Sequence, residues 1–163
     1  MKKILIIGYG NPNREDDGVA WHILEKLATH FDVPLAAALA ADEFDPDCYP
    51  HLVFELQLFP EMAETMASYD YVCFVDAHTG AYDEEIRMAT IDPQFQASPF
   101  THHLTPESCL VIAQTLYGHA PQGLMVSVRG YAFGYNTKLS QQTAAHANEA
   151  VARIVEWVSE INT

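Results

Sequence analysis

The opening of the chain constrains its fold most. An apolar run, Ile4-Leu5-Ile6-Ile7, stops at Gly8, a loop rich in Gly, Asn and Pro follows, and an amphipathic segment begins at Asp16-Asp17. Residues 2–8 read as a buried strand. The loop Gly8-Tyr9-Gly10-Asn11-Pro12-Asn13-Arg14-Glu15 is built of residues that tolerate unusual backbone angles. In the segment running to about residue 30, Val19, Ile23 and Leu27 form one i, i+4 row and Ala20, Leu24 and Ala28 the next, which is a helix pattern. Strand, glycine loop and helix in that order make the first half of a βαβ unit, whose strands are parallel.

The alternation continues. Residues 34–50 hold an alanine-rich piece (36–41), read as a short strand, and an acidic surface loop over 42–47. Residues 51–59 read as a strand and 60–68 as a short helix opened by Pro60. Residues 71–75 form a near-continuous apolar strand closed by Asp76, and 85–91 alternate as an edge strand would. After a long loop over 92–103, Thr105-Pro106-Glu107 signals a helix start. Residues 124–128 read as another buried strand. The last helix spans 139–158, with Ala144, Ala147, Val151, Ile154, Val155 and Val158 inward. Strands alternating with helices predict one α/β domain over 1–163, a three-layer α/β/α sandwich around a mostly parallel sheet.

Charge narrows the function. The 163 residues carry a net charge of −14 and are 49% hydrophobic, so a core is expected while nucleic acid and anionic membrane surfaces are excluded as partners. Cys48, Cys73 and Cys109 form no CxxC pair and are odd in number, which fits reduced thiols and a cytoplasmic location. No apolar run reaches the length of a secretory or membrane-spanning segment. The glycine loop is not a dinucleotide site, because Asn13 stands where GxGxxG needs its third glycine and Glu15-Asp16-Asp17 would repel a pyrophosphate.

Ligands of open α/β sheets bind outside the carboxyl ends of the strands. On that rule the candidates are Asp16 and Asp17 after the first strand, Asp76 at the end of a later one, and His102-His103 ahead of the helix begun at Thr105-Pro106. Carboxylates and an imidazole on one rim suit Zn²⁺, Ni²⁺ or a similar divalent ion. His78, two residues beyond Asp76, is a rival ligand, and His119 a remoter one. An Asp at a helix start also serves as a simple cap. Asp76 is harder to read that way, since a carboxylate closing a buried strand needs a partner. Cys73 and Cys109 fit packing better than nucleophilic roles.

These residues resemble a known family. Gly8-Tyr9-Gly10-Asn11-Pro12-Asn13-Arg14-Glu15-Asp16-Asp17-Gly18-Val19 is similar to the GxGNxxRxDDGVG opening of the NiFe-hydrogenase maturation endopeptidases. Phe74-Val75-Asp76-Ala77, His102-His103-Leu104-Thr105-Pro106 and the stretch over 134–141 resemble that family's later segments, in the same order. The resemblance implies a phosphorylase/hydrolase-like α/β fold and a protease of the aspartic-type class. Such an enzyme clips the C-terminal extension from a hydrogenase large-subunit precursor after nickel insertion. It also implies metal contacts at Asp17, Asp76 and His102, with Ni²⁺ carried by the precursor and Zn²⁺ or Cd²⁺ as substitutes. Gly8, Gly10 and Asn11 would shape the loop presenting Asp17, and Asp16 or Asp17 could accept a proton from water.

Two departures stand out. Glu55-Leu56-Gln57-Leu58-Phe59-Pro60-Glu61 occupies the place of the family's Asp-Gly-Gly-Thr segment and resembles a Gln-Leu-x-Pro-Glu subgroup that includes proteases for bidirectional, NAD(P)-linked hydrogenases. Ala20 replaces a glycine. The alternatives are a non-cleaving nickel-checkpoint protein that holds the precursor, and a related metal-dependent hydrolase acting on another peptide.

Overall fold

In the computed structural model, residues 1–36, 45–95 and 104–163 are described. Six strands form one sheet in the order β2-β3-β1-β4-β6-β5: β1 Ile4–Tyr9, β2 Leu35–Ala36, β3 His51–Glu55, β4 Tyr71–His78, β5 Ile86–Ile91 and β6 Gln122–Arg129. All neighbouring pairs are parallel except β5 with β6. Helices α1 (Val19–Phe31) and α4 (Gln141–Ile161) cover one face, and α2 (Met62–Met66) and α3 (Pro106–Tyr117) the other. This is the expected three-layer α/β/α sandwich with a mostly parallel sheet.

The period of the strands explains the two cores. Ile4 and Ile6 of β1 join Ile23, Leu24, Leu27, Ala147 and Ile154, whereas Leu5 and Ile7 join Met62, Met66, Phe74 and Leu110. Successive residues point to opposite faces, and β1 is apolar on both because helices cover both. Thr105 caps α3 through its hydroxyl, which accepts the Ser108 N–H at 3.2 Å, and Gly118 ends that helix with φ +78°. Ser140 caps α4 in the same way from Thr143 N at 3.3 Å.

Several bounds differ from the sequence reading. A 3-10 turn, Glu15–Gly18, precedes α1, so Asp16 and Asp17 lie in that turn rather than in the helix. Strand β4 runs to His78, because β6 pairs with it as far as Arg129, and Asp76 therefore lies within the strand. Strand β3 ends at Glu55, which frees residues 56–59 as a loop. In α4, Ala150 and Thr143 are buried while Ala144 is only partly so. Among the described residues no helix is long and apolar enough to cross a membrane.

Candidate active site

The turn after β1 exists because Gly10 takes φ +140°, and a Cβ there would collide with the Asp17 carbonyl oxygen. A side chain on Gly18 would likewise sit 2.6 Å from the Pro12 Cα, so the turn and the 3-10 segment touch backbone to backbone. The Gly10 N–H donates to the Glu55 carbonyl at 3.3 Å, tying the turn to β3. Asn11 organises the rest. Its N–H donates to Asp17 Oδ2 at 2.9 Å, its side-chain oxygen accepts from Asn13 N at 3.0 Å, and its carbonyl from Arg14 N at 3.1 Å. The Asp17 carboxylate is thereby held over the carboxyl end of the central strand.

Asp76 lies on the adjacent strand, with Gly8 paired to Val75. Its Oδ1 accepts the Ala77 N–H at 2.7 Å, and the Tyr9 hydroxyl donates to the same carboxylate. Burial, and then the charge of Asp17, push the Asp76 carboxyl up to about 7, against the pull of those two hydrogen bonds. Burial and the neighbouring Asp76 raise the Tyr9 phenol well above its usual range, so Tyr9 is a standing donor. Asp17 and Asp76 open on one cavity of about 460 Å³. Tyr9, Leu56, Gln57, Leu58, Leu104, Thr105 and Pro106 complete its lining. Strand order reverses about β1, so this is the switch-point crevice where doubly wound sheets take ligands.

Asp16 has a different position. It is fully buried, and its oxygens accept from Tyr131 N (2.8 Å), Ala132 N (2.9 Å), Ser140 N (2.8 Å), Ser140 Oγ (2.7 Å) and Thr143 Oγ1 (2.9 Å). Burial by itself would raise its pKa, but these donors outweigh it and hold the carboxyl at about 2. It is not among the residues lining the cavity. The expectation of Asp16 as a base gives way to an anchor: a strongly acidic, fully bonded carboxylate has little capacity to take a proton.

His78 cannot serve as the rival ligand in this arrangement, because Nε2 bonds the Glu84 carbonyl at 2.9 Å and Nδ1 accepts the Gly80 N–H at 3.2 Å. His119 Nε2 bonds the Tyr69 carbonyl. His102 and His103 lie outside the described residues, as do positions 42–44 of the acidic loop, while Asp45 and Asp47 are exposed. Cys73 and Cys109 are buried, with thiols pushed up by that burial (Cys109 to about 12), as packing residues would be. The sequence reading missed Tyr9 and the 56–58 loop as walls of the cavity. Their signal was position alone, the last residue of β1 and the residues just past β3.

No family model matches the chain, and no curated protein sequence matches it. Solved structures do. The hydrogenase maturating endopeptidase HybD from E. coli is similar at a TM-score of 0.66 and 18% identity, covering 97% of this chain and 93% of that one. A hydrogenase 2 maturation peptidase from Thaumarchaeota archaeon SCGC_AB-539-E09 is similar at 0.64 and 18%, covering 97% and 99%. A NiFe hydrogenase maturation protease, HycI from Thermococcus kodakarensis KOD1, is similar at 0.63 and 19%, covering 95% and 91%. At such identities the likeness establishes the fold, and this chain has the α/β fold of those solved proteins.

Proposed function

We propose that the chain is an endopeptidase that removes the C-terminal extension of a NiFe-hydrogenase large-subunit precursor after nickel insertion. The observation that carries this reading is the pairing of two half-buried carboxylates, Asp17 and Asp76, in one switch-point cavity. The glycine-loop motif over 8–19 supports it, as do proteins of the same fold that bear the name hydrogenase maturation protease.

In this reading nickel arrives with the precursor as part of the substrate, and Asp17, Asp76 and His102 contact it. The chemistry of the pair fits a divalent cation. Two carboxylates withdrawn from water repel each other, and a cation between them relieves what lifts Asp76 to about 7. Among the described residues no third His, Cys, Asp or Glu completes a metal group, so further ligands fall to the precursor and to His102. When bound, such an ion polarises a carbonyl or lowers the pKa of a water. The chain's own residues do the rest. The Asn11 and Ala77 N–H groups fix the directions of the two carboxylates. Leu56, Leu58 and Leu104 wall the cavity. One of the two paired carboxylates, Asp17 or Asp76, takes the proton of the attacking water and returns it to the departing amine.

The test is incubation of nickel-loaded precursor with the wild type and with Asp17→Asn, Asp76→Asn and His102→Ala, reading the large-subunit mass. Wild type shortens the precursor, and each variant slows by about a hundredfold or more. Full processing by all three variants overturns the site assignment. A wild type that retains precursor at full mass overturns the proteolytic reading in favour of a non-cleaving checkpoint.

A further inference from the structure

Arg129 ends β6, paired in register with His78, two residues beyond the pair formed by Ser127 and Asp76. Side chains at paired positions of parallel strands share a face, so Arg129 emerges on the same side of the sheet as Asp76, their roots about 8 Å apart. Its Nε is buried without a hydrogen-bond partner. Among the described residues it makes no ion pair, although the chain holds 22 Asp and Glu. What surrounds it is shape rather than charge. The guanidinium lies 5.1 Å from the centroid of the Tyr131 ring. Gly80, at φ +108°, leaves the space it occupies, since a Cβ there would collide with Nη1.

A guanidinium fixed by a ring and a glycine, with no carboxylate beside it, is a preformed receptor for a planar anion. We propose that Arg129 binds a carboxylate of the substrate peptide, one strand over from the paired acids. The assignment rests on the proteolytic reading of the neighbouring cavity, beside which Arg129 stands without lining it. Its physical reason is polarity. Asp17 and Asp76 attract a cationic group and repel an anionic one, so a peptide carrying a carboxylate is driven into one orientation when Arg129 takes that group. Arg129 acts as a specificity-determining residue and not on the reacting atoms. The carboxylate comes either from the peptide's free C-terminus or from an Asp or Glu side chain within it.

Three nickel-loaded precursors, each with its C-terminal extension supplied as a ligated synthetic peptide, separate these sources: one native, one C-terminally amidated, and one with the acidic side chains of the extension changed to Asn or Gln. Each is assayed for KM and kcat, and for binding by fluorescence anisotropy, with wild type, Arg129→Gln and Arg129→Lys. Arg129→Gln is expected to raise KM for the native precursor about tenfold to a hundredfold with kcat within about twofold, and Arg129→Lys to recover part of the loss. Whichever neutralised precursor removes the bound carboxylate shows that same loss on the wild type and no further loss on Arg129→Gln. Unchanged KM in a folded Arg129→Gln, or an equal loss with all three precursors, overturns the assignment. Nickel-loaded precursors that bind in an Arg129-dependent way yet are never cut would sink the proteolytic reading and leave the carboxylate site standing.

Discussion

The Asp16 carboxylate accepts a hydrogen bond from the Thr143 hydroxyl at 2.9 Å, joining the turn that opens the chain to the first turn of the closing helix 127 residues away. The Thr143 hydroxyl also lies 3.0 Å from the Arg129 carbonyl, so its single proton is shared between two acceptors and one side chain spans β6, α4 and the 3-10 turn. Asp16→Asn replaces one of two acceptor oxygens with a donor NH2 facing a set of five donors and should cost about 2–4 kcal/mol of stability. Thr143→Val removes one of those donors and should cost less, about 1–3 kcal/mol. Urea unfolding of both variants checks the ranking, and a costlier Thr143→Val would contradict it.

Acid unfolding should report the same anchor. Hydrogen bonding holds the folded Asp16 carboxyl at about 2, below its ordinary value of 3.8. The sign follows: its stabilisation is complete above about pH 4 and is lost as pH falls through about 2. The stability gap between wild type and Asp16→Asn should therefore shrink between pH 4 and pH 2, by about 2 kcal/mol. Urea midpoints taken across that range measure it.

Asp76 works in the opposite direction. Its folded value is raised to about 7, chiefly by burial and then by Asp17, so the folded state holds a proton that the unfolded chain releases. Stability contributed through Asp76 falls as pH rises from about 4 through 7. Asp76→Asn should accordingly be close to neutral at pH 4 and progressively stabilising up to pH 8, where the gain is about 1–3 kcal/mol. Thermal melts of metal-free protein at the two pH values decide it, and a variant less stable than wild type at pH 8 would contradict the sign.

Cation binding by the pair should carry the matching proton linkage. Below about pH 7 a divalent ion must displace the Asp76 proton, so affinity for Ni²⁺ or Zn²⁺ rises with pH and binding releases a proton. Tyr9, Asp17, Glu107 and Cys109 are the titratable groups that bear on this corner of the cavity. Calorimetry in buffers of different ionisation enthalpy at pH 6 and 8 reads the release directly. It should be larger at pH 6 and smaller in Asp76→Asn than in the wild type.

Gly10 tests the presentation of Asp17. At φ +140°, with the Asp17 carbonyl where a Cβ would lie, Gly10→Ala should cost about 1–3 kcal/mol and displace the 3-10 turn. Processing should fall with it, whereas Gly118→Ala, at φ +78° with open space around it, should lower stability and spare the cavity. Melting curves and precursor processing, measured side by side, distinguish the two.

Much of this molecule was legible in the sequence, because strands and helices are written in local period. The apolar run of β1, the Thr105-Pro106 start of α3 and the long amphipathic stretch of α4 each carry their own signal within a few residues. The carboxyl-end rule then named Asp16, Asp17, Asp76 and the His102-His103 pair as candidates without any contact being known. The family resemblance favoured Asp17 over Asp16 as a metal contact, and tertiary structure supplied the physical difference between them. The two are adjacent and chemically identical, yet one is bonded by residues 115 to 127 positions away and the other by Asn11, six positions back. Tertiary structure alone engaged both ring nitrogens of His78, set Tyr9 against Asp76 and, among the described residues, left Arg129 without an ion pair. A side chain's partners are set by closure of the whole chain, and no local pattern encodes which distant donor will stand within 3 Å of it.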